Sequence, residues 1–312
     1  MKSINLITLS FLLAVLVLSG CTSDNQTTIT TNLSPDVLVA ESFLADITQQ
    51  VAGDRLSVDV LVPAGTDPHA FQATPQDVAR LENAKVLVLN GGGLEQWLDP
   101  LMIKNDKQIR IIASDGLEPV IRDLPGETRH GEEGDPHFWL DPNLVITYVN
   151  NIRDGLSVFD PRGKSIYEAN ANAYIQQLRD LDTWITEQVT LIPPENRIIV
   201  TNHESLGYFA DRYGFKVAGT IIPSVSSEAA PSAADLADLI SVIQKEHVRA
   251  IFIETGANTG LADQIAGETG VTVVSDIYTH SITTSDGLAG SYIDMMKYDT
   301  LRIVDALKEN KK

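Results

Sequence analysis

Two histidines lie in nearly identical local sequences. His69 belongs to Asp67-Pro68-His69-Ala70-Phe71, and His137 belongs to Asp135-Pro136-His137-Phe138-Trp139. Proline fixes its own φ and pushes the residue before it out of the helical region, so each imidazole is predicted to project from a stiff, extended loop. A buried histidine that only caps a turn is the alternative at either position. The near-repetition of the motif favours a chemical role that the two histidines share.

Four side chains that can bind a metal follow predicted strands or lie in the loops that those strands feed: His69, His137, His203 and Asp276. In open α/β sheets, ligands bind in crevices at the carboxyl ends of the strands. Three imidazoles and one carboxylate form a closed set of protein ligands that suits a divalent transition metal. A catalytic zinc site would keep one position for water, and the sequence has no His-Glu-x-x-His or other hydrolase signature.

The elements that position these residues alternate between apolar strands and amphipathic helices, which predicts an α/β fold with parallel sheets. The alternation is interrupted in mid-chain by a helical pattern of roughly thirty residues, about 45 Å long, that begins at Asp160-Pro161 and ends near Leu191. We therefore predict two lobes, 36–160 and 192–312, joined by a single linking helix over 161–191. Two of the four candidate ligands precede this helix and two follow it, so the site is expected in the cleft between the lobes.

The N-terminus has the pattern of a lipoprotein signal peptide. Lys2 precedes an apolar run over Ile4–Val17, and Leu18-Ser19-Gly20-Cys21 resembles the lipobox of prokaryotic lipoproteins. Cys21 is the only cysteine, so it is expected to carry a lipid anchor rather than an internal disulfide. Residues 22–35 are predicted to form a flexible tether. An uncleaved signal anchor is the alternative, and in either case the folded part lies outside the cytoplasm, attached to the cell membrane.

Composition limits the partners. The sequence has 42 acidic and 23 basic residues, which argues against a nucleic-acid partner and against electrostatic adhesion to anionic lipid. The long polar segment Ser114–Asp135 is predicted to be a solvated loop, in which His130 is at most an auxiliary metal contact.

The sequence from about residue 36 onward resembles the zinc- and manganese-binding solute-binding lipoproteins of ABC metal importers. The resemblance rests on motifs in a characteristic order: Asp67-Pro68-His69, Thr74-Pro75, Asn90-Gly91, Leu94-Glu95, Asp135 to Pro142, Asn202-His203-Glu204, Tyr208-Phe209, Tyr213-Gly214 and Ile251 to Glu254. It implies two α/β lobes joined by one long helix, with the metal between them. The ligand positions of that family fall on His69, His137, His203 and Asp276. The resemblance further implies a binding protein that delivers its metal to an ABC permease, and we expect a monomer that is not an enzyme.

The sequence departs from that family in three places. The segment Ser114–Asp135 contains one histidine where many zinc-specific members have a histidine-rich loop, and Ala230 precedes Pro231 where members commonly have glutamate. Asp276 is followed by an unusual sequence that ends in His280, so Glu254 or His280 is an alternative to Asp276 as the fourth ligand. Glu204 competes with His203, but adjacent residues point to different faces and one of them is excluded.

Imidazole donors favour zinc over manganese, and we expect zinc. Manganese, or iron, is the alternative within the same family, and a bidentate Asp276 would make manganese more acceptable. Two alternatives of other classes remain, a zinc-dependent enzyme and a surface adhesin.

Overall fold

The computed structural model describes residues 35–101, 107–122, 134–227 and 229–308. All of these residues belong to one compact unit that spans residues 34–312. The predicted signal peptide, Cys21, nearly all of the predicted tether and His130 lie outside the described residues.

The N-terminal half is built on a parallel four-stranded sheet with the order β2-β1-β3-β4. The central strands β1 and β3 are buried along their whole length, as expected for short apolar strands that helices cover on both faces. The elements of this half are β1 Val37–Val39, α1 Ser42–Ala52, β2 Val58–Val60, α2 Pro75–Asn83, β3 Val86–Leu89 and β4 Ile109–Ile112.

The C-terminal half repeats this arrangement with a second parallel sheet in the order β6-β5-β7-β8. Strands in both halves alternate with helices, so the predicted α/β class with two parallel sheets is confirmed. The elements of this half are β5 Ile198–Thr201, α5 Gly207–Tyr213, β6 Lys216–Thr220, α6 Ala233–Glu246, β7 Ala250–Glu254, α7 Gly260–Thr269, β8 Thr272–Ile277 and α8 Tyr292–Leu307.

Two consecutive helices, α3 Pro142–Phe159 and α4 Lys164–Val189, connect the halves. Helix α3 starts as predicted, with the Asp141 side chain accepting a hydrogen bond from the backbone N–H of Asn143 and with proline at the first position. Helix α4 has 26 residues, fewer than predicted, because Pro161–Gly163 forms a separate 3₁₀ turn before it. None of the helices in the described part of the chain has the length and apolar character that crossing a membrane requires.

One short helix differs from its prediction. The apolar spacing over 94–103 predicts an α-helix, whereas the structure has a 3₁₀ helix over Gln96–Leu101 with Pro100 inside it. Proline has no backbone N–H and clashes with the preceding turn of an α-helix, so a short 3₁₀ segment is the conformation that this stretch can adopt.

The last helix attaches the C-terminal half to the N-terminal half. Helix α8 packs on α1 and α4, and one continuous apolar core includes residues of both halves. The backbone N–H of Tyr292 donates to Asp46 at 2.8 Å, and its hydroxyl donates to the carbonyl oxygen of Trp139 at 2.6 Å. The Trp139 ring stacks on Phe43 with their centroids 4.3 Å apart. These contacts oppose a wide opening between the halves.

Tyr292→Phe should therefore reduce the free energy of unfolding by about 1–1.5 kcal/mol, because it leaves the buried carbonyl of Trp139 without its hydroxyl donor. Denaturant unfolding without metal measures this difference. Tyr298→Phe is the matched control, since no hydrogen bond of the Tyr298 hydroxyl is seen among the described residues. Equal stability of Tyr292→Phe and wild type would contradict the role of this contact.

Candidate metal centre

Four histidines meet at a single point of the structure: His69, His137, His203 and His280. One nitrogen of each ring lies within 4.8 Å of the corresponding nitrogen of the other three. The Nε2 atom of His137 is at the centre of the contacts, 3.3 Å from Nε2 of His69, 3.2 Å from Nε2 of His280 and 3.3 Å from Nε2 of His203.

These separations match the spacing of donors around a tetrahedral ion. Nitrogen ligands about 2.0–2.1 Å from zinc, placed at the corners of a tetrahedron, lie about 3.3–3.4 Å from one another. The three measured distances from His137 are within about 0.2 Å of that edge. Side chains that converge in this way form a donor set for one cation.

The ring of His137 is oriented from behind by a buried carboxylate. Asp135 Oδ1 accepts hydrogen bonds from the backbone N–H of His137 at 2.9 Å and from its Nδ1 at 2.7 Å. Arg122 in turn forms an ion pair with Asp135 and stacks over the Tyr208 ring. A proton held on Nδ1 leaves the Nε2 lone pair free to face the metal, which is the usual arrangement of metal-binding histidines.

A second carboxylate lies behind His203. Oε1 of Glu254 is 2.9 Å from Nδ1 of His203. This Nδ1 makes no well-aligned hydrogen bond to any of the described residues, so the attraction between Glu254 and His203 is mainly electrostatic. Oε2 of Glu254 is 4.0 Å from Nδ1 of His280, and the carboxylate also accepts a hydrogen bond from Ser205 at 2.8 Å. Glu254 therefore supports two of the four histidines.

The remaining two histidines are held through their loops. In the loop between β2 and α2, Asp67 accepts a hydrogen bond from the backbone N–H of His69 at 2.8 Å, and its other oxygen accepts one from the Ser227 hydroxyl. The Asp-Pro-His motif thus forms the same local turn at both of its occurrences. His280 follows β8 and has its Nδ1 2.9 Å from the Thr279 hydroxyl. The carbonyl of Thr279 accepts a hydrogen bond from the Trp139 indole at 2.7 Å.

Burial and charge give the rings different proton affinities. Burial, with repulsion from the neighbouring imidazoles, lowers the pKa values of His69 and His137 well below the ordinary value. Burial also lowers the pKa of His280, against the attraction of Glu254. For His203 burial acts in the same direction, but the Glu254 and Asp67 carboxylates outweigh it and raise the pKa. Three of the rings are therefore neutral at pH 7, the state that binds metal.

Asp276, expected as the fourth ligand, is not part of the cluster. Its side chain is exposed, and its backbone has a left-handed φ of 66° at a register shift where β8 pairs with β7. The bulge gives β8 an extra residue, so the strand continues past Asp276 and leads to His280, which was the alternative. His280 is 7% exposed and lies where Asp276 was expected.

The other two alternatives also lie outside the four-histidine cluster. Glu254 is buried behind the rings, as described above, and supports them rather than joining their donor atoms. Glu204 is buried, with 6% of its surface exposed, but it is not among the clustered donor residues. Of the two adjacent residues, His203 is the one in the cluster, as expected if only one of them can point toward the metal. Sequence reasoning missed the supporting roles of Asp135 and Arg122. The role of Asp135 could have been predicted, because an aspartate occupies the same place in both copies of the Asp-Pro-His motif. Nothing in the sequence indicates that Arg122 would pair with it.

A pair of buried carboxyl groups lies behind the loop of His137. Glu95 accepts hydrogen bonds from the backbone N–H groups of Asn90 and Gly91, and the Asn90 side chain donates to the carbonyl of Pro136 at 3.1 Å. Glu41 is 1% exposed, and neither of its carboxylate oxygens accepts a hydrogen bond from any residue in the described part of the chain. Burial and the charge of Glu95 raise the pKa of Glu41 well above its ordinary value, and burial raises the pKa of Glu95 to about 7. The protonated form of Glu41, which can donate to Glu95, is the form that this environment stabilises.

His280→Ala should weaken metal binding by at least 10- to 100-fold, the range that follows even the loss of a residue that supports a ligand. Asp276→Asn is the matched variant and should leave the affinity within about twofold, since asparagine tolerates the left-handed backbone. Competition titration against a chelator of known affinity measures both. The reverse order of effects would restore Asp276 as the fourth ligand.

Glu41→Gln should make the stability of the metal-free protein depend less on pH. Because the folded-state pKa values of this pair are raised, the folded state binds more protons than the unfolded state above about pH 4.5, and stability falls as the pH rises through 7. Each such proton contributes a slope of up to about 1.4 kcal/mol per pH unit. Denaturant unfolding from pH 5 to pH 9 should show a shallower decline in Glu41→Gln and an unchanged one in the exposed control Glu187→Gln. Parallel curves for Glu41→Gln and wild type would contradict a shared proton.

Comparisons with known proteins agree on one family. Residues 37–306 match the model of the family described as zinc-uptake complex component A, periplasmic. The manganese-binding lipoprotein MntA of Halalkalibacterium halodurans is 34% identical over 302 residues, which are 96% of this chain and 98% of that protein. The zinc-binding lipoprotein AdcA of Streptococcus pneumoniae is also 34% identical, over 95% of this chain and 59% of its own length.

A solved structure supports the same assignment. The periplasmic zinc-binding protein TroA from Treponema pallidum superposes with a TM-score of 0.80 at 27% identity, covering 88% of this chain and 99% of that chain. The name of that protein and the description of the family both refer to the uptake or binding of metal. The chain belongs to the family of zinc-uptake complex component A, the metal-binding proteins of ABC importers.

Proposed function

We propose that this protein captures a zinc ion outside the cytoplasm, by means of His69, His137, His203 and His280, and delivers it to an ABC permease. The observation that carries the proposal is the convergence of four imidazole nitrogens within 4.8 Å of one another, with the three separations from His137 close to the edge length of a tetrahedral zinc site. Zinc is the cargo of this site, and the protein must both bind and release it.

The donor set favours zinc over manganese. Manganese prefers carboxylate, carbonyl and water oxygens, whereas imidazole nitrogens suit zinc. Among the described residues, the cluster of donor atoms contains four imidazoles and no carboxylate. Tetrahedral geometry is also the usual one for zinc, and an ion that needs six oxygen donors would find too few here.

Sequence identity does not distinguish the two metals. MntA, one of several relatives named for manganese, and AdcA, named for zinc, are both 34% identical to this chain, over 98% and 59% of their own lengths. Manganese is therefore the second candidate, supported by the name of MntA, and the choice of zinc depends on the donor chemistry alone.

The buried charge of the bound ion is compensated by the residues behind the ligands. The dication would be bound by three neutral imidazoles and by His203, whose neighbour Glu254 carries a negative charge. A second carboxylate, Asp135, lies behind His137. In the metal-free protein burial raises the pKa of Asp135 to about 7, against the attraction of Arg122. A dication nearby favours the ionised carboxylate, so zinc binding should release protons from the site.

A closed set of four protein donors supports transport rather than catalysis. A zinc ion that holds four histidines has no coordination position left for a water nucleophile. No contact in the described part of the chain favours the alternative function of a surface adhesin.

The attachment to the membrane is part of the same proposal. Cys21, the sole cysteine, is proposed to carry the lipid anchor, and the names of the relatives MntA and AdcA include the word lipoprotein. A monomer anchored in this way would collect zinc beside the permease that receives it.

Protein purified without added metal, stripped with a chelator and then titrated should bind one equivalent of zinc. At free zinc about a thousandfold above Kd, the free energy of unfolding should rise by about 4 kcal/mol. Thermal unfolding of wild type and His137→Ala, each with chelator, zinc or manganese, measures the effect. His137→Ala should lose most of the stabilisation by zinc.

Two results would contradict the proposal in different ways. A stabilisation by zinc that persists in His137→Ala would exclude this site. A larger stabilisation of the wild type by manganese than by zinc, at equal free concentrations, would make manganese the cargo.

A further inference from the structure

Only two of the four histidines of the cluster are accessible from solvent. The side chains of His137 and His203 are 0% exposed, whereas His280 is 7% exposed and His69 is half-buried. An ion that reaches the centre of the cluster without a large rearrangement must pass His280 or His69.

A separate cavity adjoins each of these two histidines. The cavity beside His280, which we call the entry cavity, has a volume of about 710 Å³ and lies between the loop of Asp67, the residues after β7 and the residues after β8. The cavity beside His69 has a volume of about 270 Å³ and is lined by residues that include Gly92, Trp97 and Val225.

The charges of the two cavities differ. The entry cavity is lined by two carboxylates, Asp67 and Glu254, and by no lysine or arginine among the described residues. Apart from His69, the described lining of the smaller cavity has no titratable side chain. A cleft lined by charges of one sign raises the local concentration of ions of the opposite sign and repels ions of its own sign. The entry cavity therefore attracts a free dication and repels an anionic metal chelate.

Both cavities are larger than a hydrated dication, and the entry cavity leaves more space around it. A dication with six water molecules occupies roughly 180 Å³, at about 30 Å³ for each water. The entry cavity holds such an ion with space for water exchange, while the smaller cavity would be largely filled by it.

We propose that the entry cavity is the route by which the hydrated dication reaches and leaves the four histidines, and that Asp67 and Glu254 attract it along this route. The proposal rests on the proposed function, because it concerns the path of the same ion. His280 is then the first histidine that the arriving ion meets, and Glu254 lies behind it.

Asp67 is the residue that can be tested without disturbing the four rings. Its carboxylate is held by the backbone N–H of His69 and by the Ser227 hydroxyl, and it is not in the cluster of donor atoms. Its charge nevertheless acts on His137, His203 and His280. Asp67→Asn removes this charge while an amide oxygen remains to accept from His69 and an amide N–H₂ can donate to Ser227.

The experiment is stopped-flow measurement of zinc association and dissociation in wild type and a matched pair of variants. Ala257→Trp fills part of the entry cavity, and Val225→Trp fills part of the cavity beside His69. Ala257→Trp should slow association and dissociation by similar factors, with Kd little changed, because a blocked route affects both directions equally. Val225→Trp should leave both rates within about twofold of wild type.

Two charge variants test the attraction. Asp67→Asn should slow zinc association by about three- to tenfold at low ionic strength, and the difference from wild type should shrink as salt is added. Gln264→Arg, at an exposed position of the cavity wall, should slow association in the same way, and Gln176→Arg on α4 is its control. The Gln264 variant keeps the test valid if Ala257→Trp does not fold.

Equilibrium titration of the same samples separates this proposal from the function on which it rests. A wild type that binds no zinc overturns both. Unit stoichiometry in every variant, with slower exchange in Val225→Trp than in Ala257→Trp, overturns the route alone. Wild-type rates in both tryptophan variants and in Gln264→Arg also overturn it, since the ion would then enter by another way.

Discussion

Four imidazole nitrogens that face one another with their lone pairs repel unless a cation lies between them. The structure holds these nitrogens close together, with carboxylates behind two of the rings, Asp135 at His137 and Glu254 at His203. Each carboxylate favours a proton on the far side of its ring, so the lone pairs are directed inward. Without a cation this arrangement is unfavourable, so the surrounding fold must hold the four rings in place.

The fold maintains it by bringing loops from two sheets to one place. His69 follows β2, His203 follows β5 and His280 follows β8, all at carboxyl ends of parallel strands, where α/β proteins bind their ligands. His137 comes from a 3₁₀ turn that leads into α3, whose first turn is fixed by Asp141. A continuous core and the attachment of α8 through Tyr292 hold the two halves together. Access to the metal is therefore more easily provided by a cavity beside the histidines than by separation of the halves.

The sequence alone predicted the fold class and three of the four clustered histidines. It indicated the fourth histidine only as an alternative, and it did not predict the extent of two helices. The repeated Asp-Pro-His motif and the apolar strand before His203 predicted three of the four clustered histidines, because proline and strand ends restrict the backbone strongly. The fourth depended on a β-bulge with a left-handed aspartate at position 276, and no periodicity in the sequence reveals a bulge. The 3₁₀ segments at Pro100 and Pro161 shortened or replaced predicted α-helices for a similar reason, since apolar spacing alone does not show where proline breaks the helical pattern. Long-range partners such as Arg122, which holds Asp135, leave no local signal.

The central claim is that one metal ion binds four imidazoles of this chain. X-ray absorption spectroscopy of the protein loaded with one equivalent of zinc tests it most directly, because it reports the number, type and distance of the donor atoms. The account predicts four nitrogen donors at about 2.0–2.1 Å, with the multiple-scattering pattern of imidazole rings and no oxygen donor. A first shell that contains a carboxylate oxygen, or fewer than four imidazoles, would contradict it.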